Sequence, residues 1–277
     1  MVRALLIRGM LAGLLAGILG FLFARQLGEP PVNTAIAFGS YVEYTVHNQQ
    51  PEVELVARSL QSSAGLGTGT LIYGVALGGM FALVFTATYG RLGQLGARGT
   101  AAWLGCLGFT AVYLVPFLKY PANPPSIGNP DTIQYRTAVY LVLILVSILA
   151  MVSAVLLQRR LIERFGGWNA TLIAGGAYIL VIGVCYGVFP GINEVPQQAL
   201  PTVLDAVSDA GVTFPPTVLW AFRISSLGLQ VVMWSTIALV FGALAQRQME
   251  PNVQRVREPI PGLGAQHLGA VKEQLPE

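Results

Sequence analysis

Glu43 and His47 stand four residues apart, a spacing that puts both side chains on one face of a helix, with Glu52 and Glu54 close behind. An imidazole beside carboxylates suits a borderline divalent metal such as cobalt, nickel or zinc. The same residues also fit an ordinary solvated loop, because exposed Glu and His are common on protein surfaces. Oxygen donors recur in three further stretches rich in Pro and Asn: Glu29 with Asn33, Asn123 with Asp131, and Asn193 with Glu194. Three acids around one mouth would concentrate cations, and the amide oxygens would serve as neutral ligands. Alternatively each acid braces its loop against Arg25, Arg58, Lys119, Arg136 or Arg223, since outer charges beside a membrane find partners. The candidate cation residues are therefore Glu43, His47, Asn123, Asp131, Asn193 and Glu194. Glu29, Arg58, Arg136 and Arg223 are the candidates for structural pairing.

Absent motifs narrow the chemistry. The 2 histidines, His47 and His267, both fall outside the apolar runs, which excludes a bis-histidine haem site within a bilayer. There is no Gly-x-Ser-x-Gly, no His-Glu-x-x-His and no phosphate-binding loop. The chain reads as a non-enzyme with no resident cofactor, and ATP coupling is not visible in it. No Asp, Glu or Lys lies within an apolar run, which argues against a buried proton relay. Cys106 and Cys185 both fall inside such runs and read as small packing residues.

Whatever these residues do, they are held by membrane helices. Six uncharged or nearly uncharged runs cover residues 4–24, 66–89, 99–118, 137–157, 168–189 and 224–245. A hydrocarbon core about 30 Å thick needs roughly 20 residues of helix. The first run contains Arg8, whose long side chain can snorkel to the headgroups. Over the whole chain 54% of residues are hydrophobic and 10% charged, where a soluble domain carries about a quarter charged. Continuous runs exclude the alternating strands of a β-barrel. The expected fold is all-α: a polytopic integral membrane protein with about six transmembrane helices in three hairpins. The helical domain covers residues 1–245, and a disordered cytoplasmic tail covers 246–277.

The basic residues orient it. Of the 16 Lys and Arg residues, 11 fall on the side of the N-terminus and of the loops 90–98 and 158–167. By the positive-inside rule that side, with both chain ends, is cytoplasmic. The net charge of +3 thus reflects orientation in a membrane and not nucleic-acid binding.

Glycines at 9, 13 and 17 recur every fourth residue and give one helix a smooth face; Gly74, Gly78 and Ala82 give another, and Gly183 with Gly187 a third. The outer turns include Gly28-Glu29-Pro30-Pro31, where proline should stiffen the chain. Pro51 followed by Glu52 and Glu54 predicts a helix that runs through Arg58 into the second span. Arg58 leads to Ser62-Ser63 much as Arg223 leads to Ser225-Ser226, a trace of internal repetition.

The run Ala111-Val-Tyr-Leu-Val-Pro-Phe-Leu-Lys-Tyr-Pro-Ala-Asn-Pro-Pro125, with Gly128-Asn129-Pro130-Asp131-Thr132 after it, closely resembles the CbtA family of predicted cobalt transporter subunits. Gly28-Glu29-Pro30, Tyr73 to Gly79, Trp168 to Leu172 and Asn193 to Pro196 share the resemblance, which extends from about residue 3 to 245. It implies a bacterial inner-membrane, multi-pass subunit of a Co²⁺ uptake system supplying cobalamin synthesis, with the ion as transported substrate. It also implies a small single-span CbtB-type partner with a histidine-rich end. The family pattern carries more histidines in the first outer loop than His47 alone, so the partner would supply the first ligands. Self-association into a homo-oligomer is compatible with the glycine faces. The rival from another class is a non-conducting scaffold or assembly protein, whose warrant is the lack of buried ionisable residues.

Overall fold

The computed structural model describes residues 2–45, 55–91, 95–128, 130–192 and 214–257, with the side chains of residues 43, 45, 130 and 250–257 outside the description. Among these residues the long elements are helices: α1 (Val2–Phe23), α2 (Glu29–Thr45), α3 (Arg58–Leu60), α4 (Leu66–Thr88), α5 (Ala97–Phe109), α6 (Val115–Lys119), α7 (Ile133–Val188) and α8 (Pro216–Arg257). Three π-helical segments, Ala24–Gly28, Gln61–Gly65 and Thr110–Leu114, join α1 to α2, α3 to α4 and α5 to α6 without a break. Five helical stretches are long and apolar enough to cross a membrane: Val2–Val42, Arg58–Thr88, Ala97–Lys119, Ile133–Val188 and Pro216–Met249.

The glycine faces expected on α1 and α4 meet each other. A methyl group at Gly13 would run into the Gly74 carbonyl, one at Gly9 into the Gly78 carbonyl, and one at Gly17 would lie 2.7 Å from Thr70 O. As one helix advances by four residues the other retreats by four, so the pair is antiparallel. Gly74 and Gly78 are blocked in turn by the carbonyls of Gly13 and Gly9. Backbones this close replace the hydrophobic effect, absent in lipid, with dense van der Waals contact. The other helices of the core close around this pair. Gly20 of α1 faces Leu229 and Met233 of α8, and Gly105 and Gly108 of α5 face Ala238 and Trp234. Phe85 stacks edge-on to Phe241, with ring centroids 4.9 Å apart, where α4 meets α8.

α7 consists of two helical arms that meet at a kink. Gly166, at φ 74° and ψ 165°, interrupts it. Thirty-one residues of straight helix would separate Ser147 from Tyr178 by about 46 Å. Their hydroxyls instead lie 2.9 Å apart in a buried hydrogen bond, so residues 133–165 and 167–188 double back on each other. Tyr178 and Ile182 pack there with Met151, Ala154 and Val115. The loop expected over residues 158–167 therefore shrinks to one glycine. Arg159, Arg160, Glu163 and Arg164 are good helix formers and extend the arm in helical form. The main packed pairs are α1 with α4, α5 with α8, and the two arms of α7. Three hairpins pairing neighbours across the outer turns were expected: α1 and α4 do pack together, α6 and the π segment before it touch α7, and α8 packs chiefly on α1 and α5.

Other expectations need correction. Gly28-Glu29-Pro30-Pro31 is not a turn, because the helix continues through it into α2. The π segment Ala24–Gly28 makes that possible: the Glu29 N–H reaches back five residues to Ala24 O, widening the helix just before the prolines. Pro31 has no N–H to give the Leu27 carbonyl four residues back. Ser225 Oγ donates to that oxygen at 2.8 Å. Ser225→Ala should therefore lower the stability of the detergent-solubilised protein by about 1 kcal/mol, read as a reduced Tm. Pro116 likewise follows a π segment, Thr110–Leu114.

The helix expected from Pro51 does not run through to α4. Ala57 is extended (ψ 135°) and α3 begins at Arg58; Pro51 itself lies outside the described residues. α8 continues to Arg257, so residues 246–257, expected as disordered tail, are helical; the rest of the tail lies outside the description. Gln246 is part of the fold, its Oε1 accepting the Ala97 N–H at 3.1 Å and capping α5. Gly183 and Gly187 have nothing within 4 Å among the described residues, so no close helix contact is made there by those residues.

Candidate functional site

One end of the bundle gathers the polar residues that the sequence placed on the outer side. Arg25, in the first π segment, donates to Ser62 Oγ at 3.0 Å in the second, and Ser225 donates to Leu27 beside it. The two look-alike returns, Arg58 to Ser63 and Arg223 to Ser226, thus bring their serines to the same segment, Ala24–Gly28. Arg58 makes an ion pair with Glu29 and donates from Nε to Asn33 Oδ1 at 3.0 Å. The two charged side chains are 24% and 13% exposed, which gives the pair a less screened setting than a surface bridge. Glu29 is thereby engaged as a brace between α2 and α3.

Asn123 is also committed. Its Oδ1 accepts from Arg223 Nη2 at 3.0 Å, while Arg223 Nε donates to Ala122 O at 3.2 Å. This ties the proline-rich loop after α6 to the start of α8. Across the same loop Lys119 Nζ donates to Tyr186 O at 2.7 Å, and the Tyr120 hydroxyl donates to Pro190 O at 2.8 Å. Burial, with Tyr135 near, raises the Tyr120 phenol above its usual range, so it stays protonated and donating at neutral pH.

Between α6, this loop and the start of α7 lies a cavity of about 420 Å³, walled among others by Tyr113, Tyr120, Asn123, Arg136, Tyr140 and Ile192. Arg136 is therefore at its wall, and Asp131 precedes it in the short 3₁₀ turn Pro130–Thr132; both have further partners. A ladder of rings, Phe109, Tyr113 and Phe117, stacks along α5 and α6 at centroid spacings of 6.0 and 5.4 Å. Tyr113 stands in the π segment, where the wider turn re-aims it relative to a regular helix.

The remaining sequence candidates are not brought into this arrangement by the described residues. Glu43 is in the last turn of α2, with its side chain outside the description, and His47, Asn193 and Glu194 lie outside the described residues altogether. Among the described residues, no three His, Cys, Asp or Glu side chains converge as a metal-binding group. Sequence reasoning missed Arg25, Ser62 and Ser225 as one junction, and Tyr113 and Tyr140 as cavity wall. The available signal was polar residues at the ends of apolar runs, but partners 37 and 198 residues apart carry no local pattern.

The family model for a probable cobalt transporter subunit (CbtA) matches residues 2–246 of the chain. The chain belongs to the CbtA family. No curated protein and no solved structure matches it. With that family and five apolar helices, it is a multi-pass membrane protein of cobalt transport. The family is described as one of transporter subunits, which is not an enzyme class.

Proposed function

We propose that the chain is the membrane subunit through which Co²⁺ enters a bacterial cell across the inner membrane for cobalamin synthesis. The single observation carrying this reading is the CbtA match over residues 2–246. Six crossings follow if both arms of α7 span the bilayer, an arrangement favoured by the fold-back at Gly166. Both chain ends are then cytoplasmic, as the 11 basic residues on that side require.

In this reading the end that holds Arg25, Arg58 and Arg223 faces outward. Asp131 and Glu194 guide cations there and Asn193 contributes an amide oxygen, while Asn123, held by Arg223, belongs with Glu29 to the scaffold. Glu43 and His47 share the first outer loop, and a small CbtB-type subunit presents the further histidines that hold Co²⁺ before it is passed on. The paired state of Glu29 assigns it to the scaffold of the mouth.

Cells expressing the chain together with the neighbouring small membrane subunit should accumulate radioactive Co²⁺ several-fold above cells carrying the empty vector. The chain alone should give less. Unchanged cobalt uptake in a deletion strain grown under cobalt limitation would remove the transport reading and leave a non-conducting scaffold.

A further inference from the structure

The apolar spans are not uniformly apolar. Gln230 of α8 lies one and a half turns deeper than Ser225, about 7 Å further from the outer end. Its Oε1 is buried and meets no hydrogen-bond donor among the described residues. One turn deeper, Trp234 is 7% exposed and its Nε1 is likewise without a partner. A buried amide oxygen left unsatisfied costs free energy, more so where water is scarce. An apolar side chain at 230 would be the stable solution, so the amide calls for another explanation.

Its surroundings supply one. The Tyr73 hydroxyl oxygen of α4 accepts a hydrogen bond from the Gln230 side chain, which engages the amide nitrogen and leaves Oε1 over. Tyr73 is within electrostatic reach of Tyr113, in the π segment of α5, and of Tyr140 on α7. Tyr113 and Tyr140 also wall the outer cavity. α4, α7, α8 and the π segment after α5 thus each contribute a neutral oxygen to one cluster, of which Tyr113 and Tyr140 reach the cavity, while Tyr73 is 43% exposed. The cluster contains no carboxylate, thiol or imidazole. We propose that the passage for the ion runs from the outer cavity past Tyr113 and Tyr140 to Tyr73 and Gln230, whose oxygens receive a partly hydrated divalent cation. This rests on the transport reading above and deepens it.

Neutral oxygens suit conduction because they bind a cation firmly enough to admit it and weakly enough to release it. Phenol and amide oxygens do not discriminate cobalt from nickel or zinc as thiolates or imidazoles do. The passage should therefore be permissive, with metal choice made before it.

Two readouts test the passage. In a chain carrying Cys106→Ala and Cys185→Ala, Tyr73→Cys should react with a membrane-impermeant thiol reagent added outside intact cells, and Co²⁺ should slow the reaction. Gln230→Leu should cut cobalt uptake at least about tenfold at equal membrane abundance, the scale of losing one oxygen contact to a charged group. Tyr73→Phe and Tyr113→Phe, which remove an oxygen each without changing shape, should lower uptake too and decide the matter if Gln230→Leu accumulates poorly. Full-rate uptake by these variants, or no labelling at Tyr73→Cys, would overturn the passage while leaving wild-type transport intact. Absence of uptake by the wild type with its partner would instead overturn the transport reading, and the ion passage with it.

Discussion

Replacing Gly13 by valine should prevent the protein from accumulating in the membrane. The side chain would have to occupy the space of the Gly74 carbonyl and press against Gly78 Cα, 3.1 Å from where its Cβ would stand. Overpacking against side chains costs about 1–3 kcal/mol because neighbours can rotate away. Here the obstacle is backbone on both helices, so α1 and α4 must separate along their length. That loosens the van der Waals contact of the whole antiparallel pair, and a cost above about 3 kcal/mol takes a large share of ordinary stability. Gly74→Val should behave alike, since it meets Gly13 and Gly17 in return. Gly69→Ala and Gly175→Ala, with nothing within 4 Å, serve as controls and should accumulate normally. Membrane abundance by immunoblot and thermal unfolding in detergent would check this. Normal levels of Gly13→Val would show that the two helices are not packed as the structure has them.

That interface was half legible in the sequence. The spacing of Gly9, Gly13 and Gly17, and of Gly74 and Gly78, marks each face, because only repeated small residues at four-residue steps let helices touch. Which faces meet is a property of the assembled bundle. The same signal at Gly183 and Gly187 therefore marks a face that meets none of the described residues. Proline was the other source of error. Pro30 and Pro31 ordinarily stop a helix, and Gly28-Glu29-Pro30-Pro31 carries every local mark of a turn. The structure keeps the helix by widening it over Ala24–Gly28 and supplying Ser225 to Leu27 O, a donor from 198 residues away. No local pattern announces such a donor.

The site divides in the same manner. Acids, asparagines and arginines of the outer loops were visible as types, and so was the possibility of pairing. That Arg58 holds Glu29 and Asn33 while Arg223 reaches Asn123 in another loop depends on how the helices pack. The proposed intramembrane oxygens carry no formal charge, so charge patterning does not mark them. Gln230 is the one amide in the run 224–245 and was there to be read. Tyrosines near span ends resemble interfacial anchors, as Tyr89 does, until the structure shows which ones face a cavity.

Gly166 should be the second position that tolerates no side chain, for a reason unlike that at Gly13. None of the described residues comes within 4 Å of a Cβ placed there, so space among them is not the issue. At φ 74° and ψ 165° its backbone occupies a region that is essentially closed to residues with a Cβ, and forcing one there costs of order 1–3 kcal/mol. Good helix formers precede it and the residues after it are already helical, so the ready escape for Gly166→Val is to let residues 158–172 continue as a straight helix. That would swing residues 167–188 away from their partners. The buried Ser147–Tyr178 hydrogen bond and the packing of Tyr178 and Ile182 on Val115 would go with it, as would the Lys119 and Tyr120 contacts at the outer loop. In a chain carrying Cys106→Ala and Cys185→Ala, Ser147→Cys with Tyr178→Cys should therefore be cross-linked by a bifunctional thiol reagent that spans the lost phenol ring, and should fail to be when Gly166→Val is added. Retained cross-linking at native efficiency would mean that the packing of the two arms, and not the glycine, sets the fold-back. Gly166→Ala separates the two causes further: its backbone penalty is similar while its helix preference is stronger, so it should lose the cross-link at least as completely.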